Sequence, residues 1–121
     1  MPTITIQIFA SDLPAVLAHY TRAFGATKLA EAYGDDGEPI HLEMDVMGNR
    51  IAVAPHSEEE LAPMKCGVTT LCMRFEDETQ MLRAYYALKE DGTAEELREY
   101  PWSRAEAYVT DKFGVRWCIG I

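Results

Sequence analysis

Alternation of apolar and polar residues marks the first segment of the chain and returns in its second half. Ile4, Ile6 and Ile8 alternate with polar residues over residues 3–9, and this period of two is typical of a half-buried β-strand. The segment VTTLCMRF, residues 68–75, is its counterpart. We therefore predict one strand at the start of each half.

A helix is predicted after each of these strands, from apolar residues spaced three and four apart. The first is capped by Ser11 or Asp12 and ends at Gly25; the second is capped by Asp77 and ends before Gly92. The first apolar stripe consists of Leu13, Val16, Leu17, Tyr20 and Phe24, and the second of Met81, Leu82, Tyr85 and Leu88. Both stripes are interpreted as core.

Three short extended segments follow each helix, so each half is predicted as a β-α-β-β-β unit. They span residues 27–34, 39–47 and 50–56 in the first half and 93–100, 104–110 and 115–121 in the second. The composition of 93–99 favours a helix by propensity, and only its place in the repeat predicts a strand there.

The repeat itself rests on a similarity between DVMGNRI, residues 45–51, and DKFGVRW, residues 111–117. A shift of 66 residues matches Gly48 to Gly114. The same shift pairs Asp45 with Asp111, Arg50 with Arg116, Phe9 with Phe75 and Tyr20 with Tyr86. Five identities at one spacing indicate two copies of one supersecondary unit.

The fold class that follows is α+β. Two tandem βαβββ units are predicted to form a curved mixed sheet around a concave cleft, with the helices on the outside. The chain of 121 residues suits a single domain. Its first unit covers about 3–56, a charged surface linker about 57–66, and its second unit about 67–121.

The charge and the hydropathy of the chain argue against some classes of binding partner. Lys and Arg total 11 against 20 Asp and Glu, giving a net charge of -9, and the basic residues are scattered, which argues against nucleic acid. No apolar run approaches the roughly 20 residues of a membrane-spanning helix, and no secretory signal is recognisable. We therefore expect a cytoplasmic protein without a membrane partner.

The cysteines are three in number and lack a CxxC spacing. Cys66, Cys72 and Cys118 are interpreted as thiols that pack as small hydrophobic side chains. A disulfide framework is not predicted, and reactivity would require a lowered pKa that the sequence does not reveal.

Several segments resemble the vicinal oxygen chelate superfamily, which includes glyoxalase I, extradiol dioxygenases and bleomycin-resistance proteins. They are HYTRAFGA (19–26), IHLEMDVMGNRIAVAP (40–55) and EYPWSRAEAYVTDKFGVRWCI (99–119), and they look most like its PhnB-like branch. Pro101 and SRAE (103–106) depart from the branch pattern near the expected cleft rim. The resemblance implies a ligand cleft and a homodimer.

Metal-dependent members of this superfamily draw ligands such as His and Glu from the first and last strands of each unit. Neither first strand here contains His, Asp or Glu. Cys118 stands where glyoxalase-like enzymes carry a glutamate, His56 ends the strand at 50–56, and Gln7 is a weak donor. A divalent site needs several convergent donors, so we predict no metal and no cofactor.

His41 and Glu43 are the candidate catalytic residues. Alternation places them with Asp45 on one face of a strand, and there the carboxylate can orient the imidazole as a general acid or base. An exposed strand face, or a His–Glu hydrogen bond that fixes register or a subunit contact, explains the same pattern.

Five further residues are candidates for ligand binding. They are Gln7, Tyr100, Trp102, Tyr108 and Cys118. The three aromatic residues suit the wall of a cleft for a flat or apolar ligand, and they suit a dimer contact equally well.

Three functions remain open at this point. The first is a metal-independent protein that binds an unknown small molecule in its cleft. The second is a lyase, isomerase or dioxygenase-type enzyme that uses His41 and Glu43 or a non-standard metal site. The third is a structural dimer whose cleft is vestigial.

Overall fold

A computed structural model describes residues 3–56 and 69–121 of the chain. The chain divides into two compact units, and residues 22–24 group with the second. The linker predicted at 57–66, Cys66 and the start of the strand predicted at 68–75 lie outside the described residues. Among those that are described, no helix is long and apolar enough to cross a membrane.

Each unit has the predicted order of strand, helix and further strands. The elements of the first half are β1 (Ile6–Phe9), α1 (Leu13–Phe24), β2 (Thr27–Tyr33), β3 (Pro39–Val46) and β4 (Asn49–Ala54). Those of the second are β5 (Leu71–Arg74), α2 (Glu78–Lys89), β6 (Thr93–Ala94), β7 (Arg98–Tyr100), β8 (Ser103–Thr110) and β9 (Arg116–Gly120).

Both units form a mixed sheet in which the first strand pairs in parallel with the last. The first sheet has the order β1-β4-β3-β2, and the second has the order β5-β9-β8-β6 with β7 also paired to β8. The β1–β4 and β5–β9 pairs are parallel, and the remaining pairs are antiparallel. The α+β class and the tandem βαβββ arrangement are confirmed. The concave cleft and the single domain stay predictions.

The helices begin and end where the sequence indicates. The Asp12 carboxylate accepts a hydrogen bond from the Ala15 amide at 3.1 Å, and Gly25 closes α1 in the left-handed conformation, with φ 69°. Asp77 caps α2 in the same way, accepting from the Gln80 amide at 2.8 Å. His19, on the buried face of α1, is itself buried.

One correction concerns the spacing of the repeat. α1 begins at Leu13 and α2 at Glu78, so the helices are related by 65 residues rather than 66. Tyr20 therefore matches Tyr85, which is 4% exposed, and the pairing with Tyr86, which is 56% exposed, is wrong. Phe9 is equivalent to Arg74 for the same reason, because each ends the first strand of its unit.

The extra residue lies in the last hairpin of the second unit. Asp45 and Arg50 are partners across the β3–β4 turn, whereas Thr110 and Arg116 are partners across the β8–β9 turn, which is one residue longer. From this turn onward the shift of 66 is correct. No single shift can relate the two halves across an insertion. The two identities at 66 residues that precede this turn, Phe9 with Phe75 and Tyr20 with Tyr86, are therefore coincidental.

Two predicted strands are shorter in the structure. β1 begins only at Ile6, and Ile4 is 94% exposed. The strand predicted at 93–100 is broken into β6 and β7, which pair with opposite ends of β8. The composition of this segment favours a helix and does not suit a continuous β-strand. Between β6 and β7, the Glu95 carbonyl accepts a hydrogen bond from the Tyr85 hydroxyl at 2.6 Å.

The similar segments at 45–51 and 111–117 both form hairpin turns that an aspartate organises. The buried Asp111 carboxylate accepts hydrogen bonds from the Phe113 and Val115 amides at 2.9 and 3.0 Å, and from the Trp117 indole at 3.0 Å. Asp45 accepts only one, from the Gly48 amide at 3.2 Å, at an exposed position. The second turn therefore depends much more strongly on its carboxylate than the first.

We expect Asp111→Ala to lower the free energy of unfolding by about 2–4 kcal/mol, because it removes the acceptor of the buried Trp117 indole and of two part-buried amides. Asp45→Ala is the matched control and should cost less than about 1 kcal/mol, since its single donor can turn to water. Urea unfolding followed by circular dichroism measures both. Equal losses in the two variants would contradict this account of the turns.

Candidate functional site

The first candidate cluster lies on β3, whose two faces differ in character. Leu42, Met44 and Val46 are buried on one face, as the alternation predicts. His41 and Glu43 lie on the opposite face, where their side chains are 38% and 25% exposed. Both side chains therefore retain contact with solvent while resting on a rigid strand.

His41 and Glu43 are in hydrogen-bond contact. The His41 Nε2 atom lies 3.1 Å from one carboxylate oxygen of Glu43. The other oxygen accepts a hydrogen bond from the Arg50 guanidinium on β4. Arg50 is the partner of Asp45, which places it diagonally opposite Glu43 on the same face. The carboxylate thus bridges an imidazole and a guanidinium.

This bridge favours the charged carboxylate. The hydrogen bond from Arg50 lowers the pKa of Glu43, the contact with His41 lowers it further, and partial burial opposes both. A charged Glu43 can hold the imidazole in one orientation. The geometry therefore suits this carboxylate to positioning His41.

Gln7 belongs to the same face of the first sheet. It is the partner of Ala52 in the β1–β4 pair, and Ala52 is in turn the partner of Glu43 in the β3–β4 pair. Gln7 and Glu43 therefore flank a small alanine in one row across three strands. Together with His41 they give this face its polar character.

Arg50→Gln is expected to raise the pKa of Glu43 toward the usual carboxyl range, because it removes the strongest interaction that favours the charged form. Stability from this interaction is present above the carboxyl pKa of the unfolded chain and is lost as the pH falls through the lowered folded value. An NMR titration of the Glu43 carboxyl carbon measures the change. Arg116→Gln, at the equivalent position of the second unit, should leave the titration unaltered, and a shift there would point to a non-specific charge effect.

The second candidate cluster surrounds a cavity of about 380 Å³ in the second unit. Residues of the β7–β8 turn form most of its lining, which comprises Arg74, Glu99, Tyr100, Pro101, Trp102, Ser103, Arg104 and Ile121. The Tyr100 and Trp102 rings stack, with centroids 5.1 Å apart and planes inclined by 17°. Trp102 remains 64% exposed. The cavity thus presents an aromatic surface to solvent.

A hydrogen-bonded network fixes Trp102 in this position. The Glu106 carboxylate accepts a hydrogen bond from Arg74 at 3.0 Å and, through its second oxygen, one from the Trp102 indole at 3.2 Å. Arg74 also donates to the Trp102 carbonyl at 3.1 Å. Glu106 is buried, so the pairing with Arg74 offsets the cost of enclosing its charge.

Cys118 and Tyr108 lie beside this network rather than in the cavity lining. They are partners across β8 and β9, and Cys118 is only 6% exposed. Burial raises the pKa of the Cys118 thiol to about 12, and the nearby Glu106 charge adds to the effect. The Arg116 guanidinium lies 4.4 Å from the centroid of the Tyr108 ring.

The structure therefore sorts the sequence candidates into three groups. His41 and Glu43 are together with Gln7 in their row, Tyr100 and Trp102 are together at the cavity, and Tyr108 is adjacent to Cys118. Sequence reasoning missed Arg50, Arg74 and Glu106. The position of Arg50 could have been predicted, because the tight turn at 47–48 sets the strand register that brings Arg50 beside Glu43.

Comparison with known proteins identifies the family. A model described as the glyoxalase/bleomycin resistance protein/dioxygenase superfamily matches residues 4–119. The chain belongs to this superfamily. Comparison with curated protein sequences found no significant match.

Solved structures of the same architecture agree with this assignment. A PhnB protein from Bacillus cereus has a TM-score of 0.80 at 20% identity over 98% of both chains. A glyoxylase/bleomycin resistance protein/dioxygenase domain from Frankia sp. EAN1pec has a TM-score of 0.74 at 15% identity, covering 100% of this chain and 97% of that one. The resemblance to the superfamily is confirmed, and at these identities the structural likeness shows the fold alone.

A third similar structure contains a metal. The fosfomycin resistance protein FosX from Listeria monocytogenes, in complex with Mn(II) and 1S,2S-dihydroxypropylphosphonic acid, has a TM-score of 0.67 at 12% identity, covering 96% of this chain and 86% of that one. The same fold thus occurs in a protein whose structure contains Mn(II). The donors of the present chain decide whether it shares this property.

The described first and last strands carry few of the side chains that bind divalent ions. In the first unit Gln7 is partnered by Ala52, which has no donor atom. In the second, Cys72 is partnered by Cys118, whose raised pKa disfavours the thiolate that binds metals. Within residues 3–56 and 69–121, no group of three or more His, Cys, Asp or Glu side chains is placed to hold a metal.

Proposed function

We propose that this member of the glyoxalase superfamily binds a small organic molecule in the cavity beside Tyr100 and Trp102, without a metal ion. The observation that carries the proposal is the exposed aromatic stack at a cavity of about 380 Å³. Volumes of roughly 300–1,000 Å³ are usual for small-molecule sites.

The stack is suited to a planar ligand. An exposed, fixed indole offers a large apolar face at little cost in conformational entropy, because the ligand does not have to order it. The bonds from Arg74 and Glu106 provide that fixation here. A flat aromatic ring can therefore pack on Trp102 without rearrangement of the protein.

The charges around the cavity favour an acidic substituent on such a ligand. Arg104 and Arg74, the second of which is paired with Glu106, line the cavity together with one acidic side chain, Glu99. Guanidinium groups pair well with carboxylates because their planar donors match the two oxygens. We therefore take planar aromatic carboxylates as the ligand class.

A thermal-shift screen tests this proposal with planar aromatic carboxylates and matched aromatic amines. A ligand that binds only the folded state raises its stability, by about 2.7 kcal/mol at a hundredfold excess over Kd. We expect the carboxylates to raise the Tm of the native protein and Trp102→Ala to abolish that shift.

The matched control is Tyr33→Ala, which removes an exposed aromatic residue from the first unit. This variant should respond to the ligands as the native protein does. Loss of the shift in both variants, or its survival in Trp102→Ala, would rule out the aromatic stack as the site. The amines should give weaker shifts than the carboxylates.

We also propose that the protein forms a homodimer, and the aromatic stack of Tyr100 and Trp102 is a candidate subunit contact. Tyr and Trp are enriched both in ligand sites and in protein interfaces. If Trp102→Ala instead converts a dimer into monomers, as sedimentation measures directly, the stack is a subunit contact. That outcome would replace the ligand site. A cytoplasmic location is part of the same proposal.

An acid–base enzyme is the second candidate, because His41 and Glu43 are in contact at 3.1 Å. Turnover would then need the His41 imidazole as the proton carrier and Glu43 as its positioning residue. The native protein should then convert a compound of the screen, whether or not that compound raises the Tm, and NMR detects the product. His41→Ala should abolish conversion while the thermal shift survives, whereas retained conversion would eliminate His41 from the mechanism.

A further inference from the structure

Two cysteines occupy neighbouring positions in the second sheet. Cys72 on β5 and Cys118 on β9 are partners in the parallel pair. Partners on adjacent strands lie about 4.8 Å apart, and the Cα atoms of disulfide-bonded cysteines are roughly 4.4–6.8 Å apart. The backbone therefore already has a spacing that a disulfide requires.

Their side chains also point to the same side of the sheet. The neighbouring partners Leu71 with Trp117 and Met73 with Ile119 alternate with the cysteines, and Trp117 and Ile119 are buried on the core side. The two sulfur atoms thus lie together on the opposite face. Interaction with Cys72 contributes to the raised pKa of the Cys118 thiol, as expected of neighbouring side chains.

We propose that Cys72 and Cys118 form a redox-active pair, which an external disulfide such as oxidised glutathione converts reversibly into an intramolecular disulfide. The cavity and its ligand take no part in this reaction. The proposal therefore stands whether or not the ligand site is correct.

The exposure of the two thiols assigns each a different step. Cys72 is exposed, so an external disulfide can reach it. Cys118 is buried, and its thiol is held in the protonated form by its raised pKa. Cys72 is consequently the residue that attacks the oxidant, and Cys118 is the one that resolves the mixed disulfide.

The reaction proceeds by two exchanges. The Cys72 thiolate, having lost its proton to solvent, attacks one sulfur of oxidised glutathione; the S–S bond breaks and one glutathione thiolate leaves. The Cys118 sulfur then attacks the Cys72 sulfur, and the second glutathione thiolate leaves. Two protein thiols are oxidised to one disulfide, and one oxidised glutathione is reduced to two thiols.

The proton that Cys118 loses in the second exchange passes to the departing glutathione thiolate. The nearby Glu106 charge helps to raise the pKa of the Cys118 thiol. Glu106 is itself held in place by Arg74 and Trp102. Cys118 therefore stays a thiol until the mixed disulfide has formed beside it.

The test uses a Cys66→Ser background, which leaves only the two cysteines of the pair. The protein is incubated with oxidised glutathione, quenched in acid, alkylated, and weighed by intact mass spectrometry. We expect the loss of both alkylatable thiols, a mass lower by two hydrogen atoms and no retained glutathione, all reversed by dithiothreitol.

Two further variants separate the steps. Cys66→Ser with Cys118→Ser should stop at a stable glutathione adduct, since the resolving thiol is missing. Cys66→Ser with Cys72→Ser should stay unmodified, because Cys118 is shielded. The native chain can be tested without substitutions. After oxidation and tryptic digestion, mass spectrometry should detect residues 66–74 linked through Cys72 to residues 117–121.

Three outcomes would overturn the proposal. The first is a lasting glutathione adduct in the Cys66→Ser protein with Cys118 still alkylatable. The second is oxidation that yields only disulfide-linked dimers of the chain. The third is no loss of thiols at all, because an exposed Cys72 should react with oxidised glutathione in the first exchange.

Discussion

The parallel pairing of the first strand of each unit with its last strand is the constraint on which both candidate clusters depend. It aligns Gln7 with Ala52 in one sheet and Arg74 with Gly120 in the other. The central hairpin then continues each row onto a third strand, which brings in Glu43 or Glu106. Because of this register, residues that are far apart in the chain lie side by side on one face of a sheet. The identity of those side chains then determines the chemistry of each row.

Much of the fold could be predicted because its signals are local. Helix caps at Asp12 and Asp77 and the glycine that ends α1 depend on residues within one or two turns. The spacing of the repeat was less accessible, since one inserted residue in the β8–β9 turn leaves the identities on either side at different shifts. Burial of Tyr85 rather than Tyr86 resolves the ambiguity, and burial is a property of the packed helix.

The candidate clusters were only half predictable for a related reason. Alternation alone places His41 and Glu43 on one face. The interpretation of the cysteines as packed thiols is correct for Cys118 and wrong for Cys72, which is exposed. The contacts of Arg74 with Glu106 and of Glu106 with Trp102 join residues of β5, β8 and the turn before β8. Nothing in the local sequence of any one of these segments indicates the others, so the network became visible only with the tertiary structure.

The duplicated scaffold shows how the same position acquires different chemistry. Arg50 and Arg116 occupy equivalent places at the start of the last strand in their units. Arg50 meets the Glu43 carboxylate, whereas Arg116 lies over the Tyr108 ring. In both units the contact is with the residue diagonally opposite on the preceding strand, so the geometry is conserved within the chain while the partner differs. The carboxylate of Glu43 contacts both Arg50 and His41, whereas the ring of Tyr108 packs against Arg116 beside Cys118. The two sheets share one strand register, and their polar faces differ chemically because one position holds Glu43 in the first unit and Tyr108 in the second.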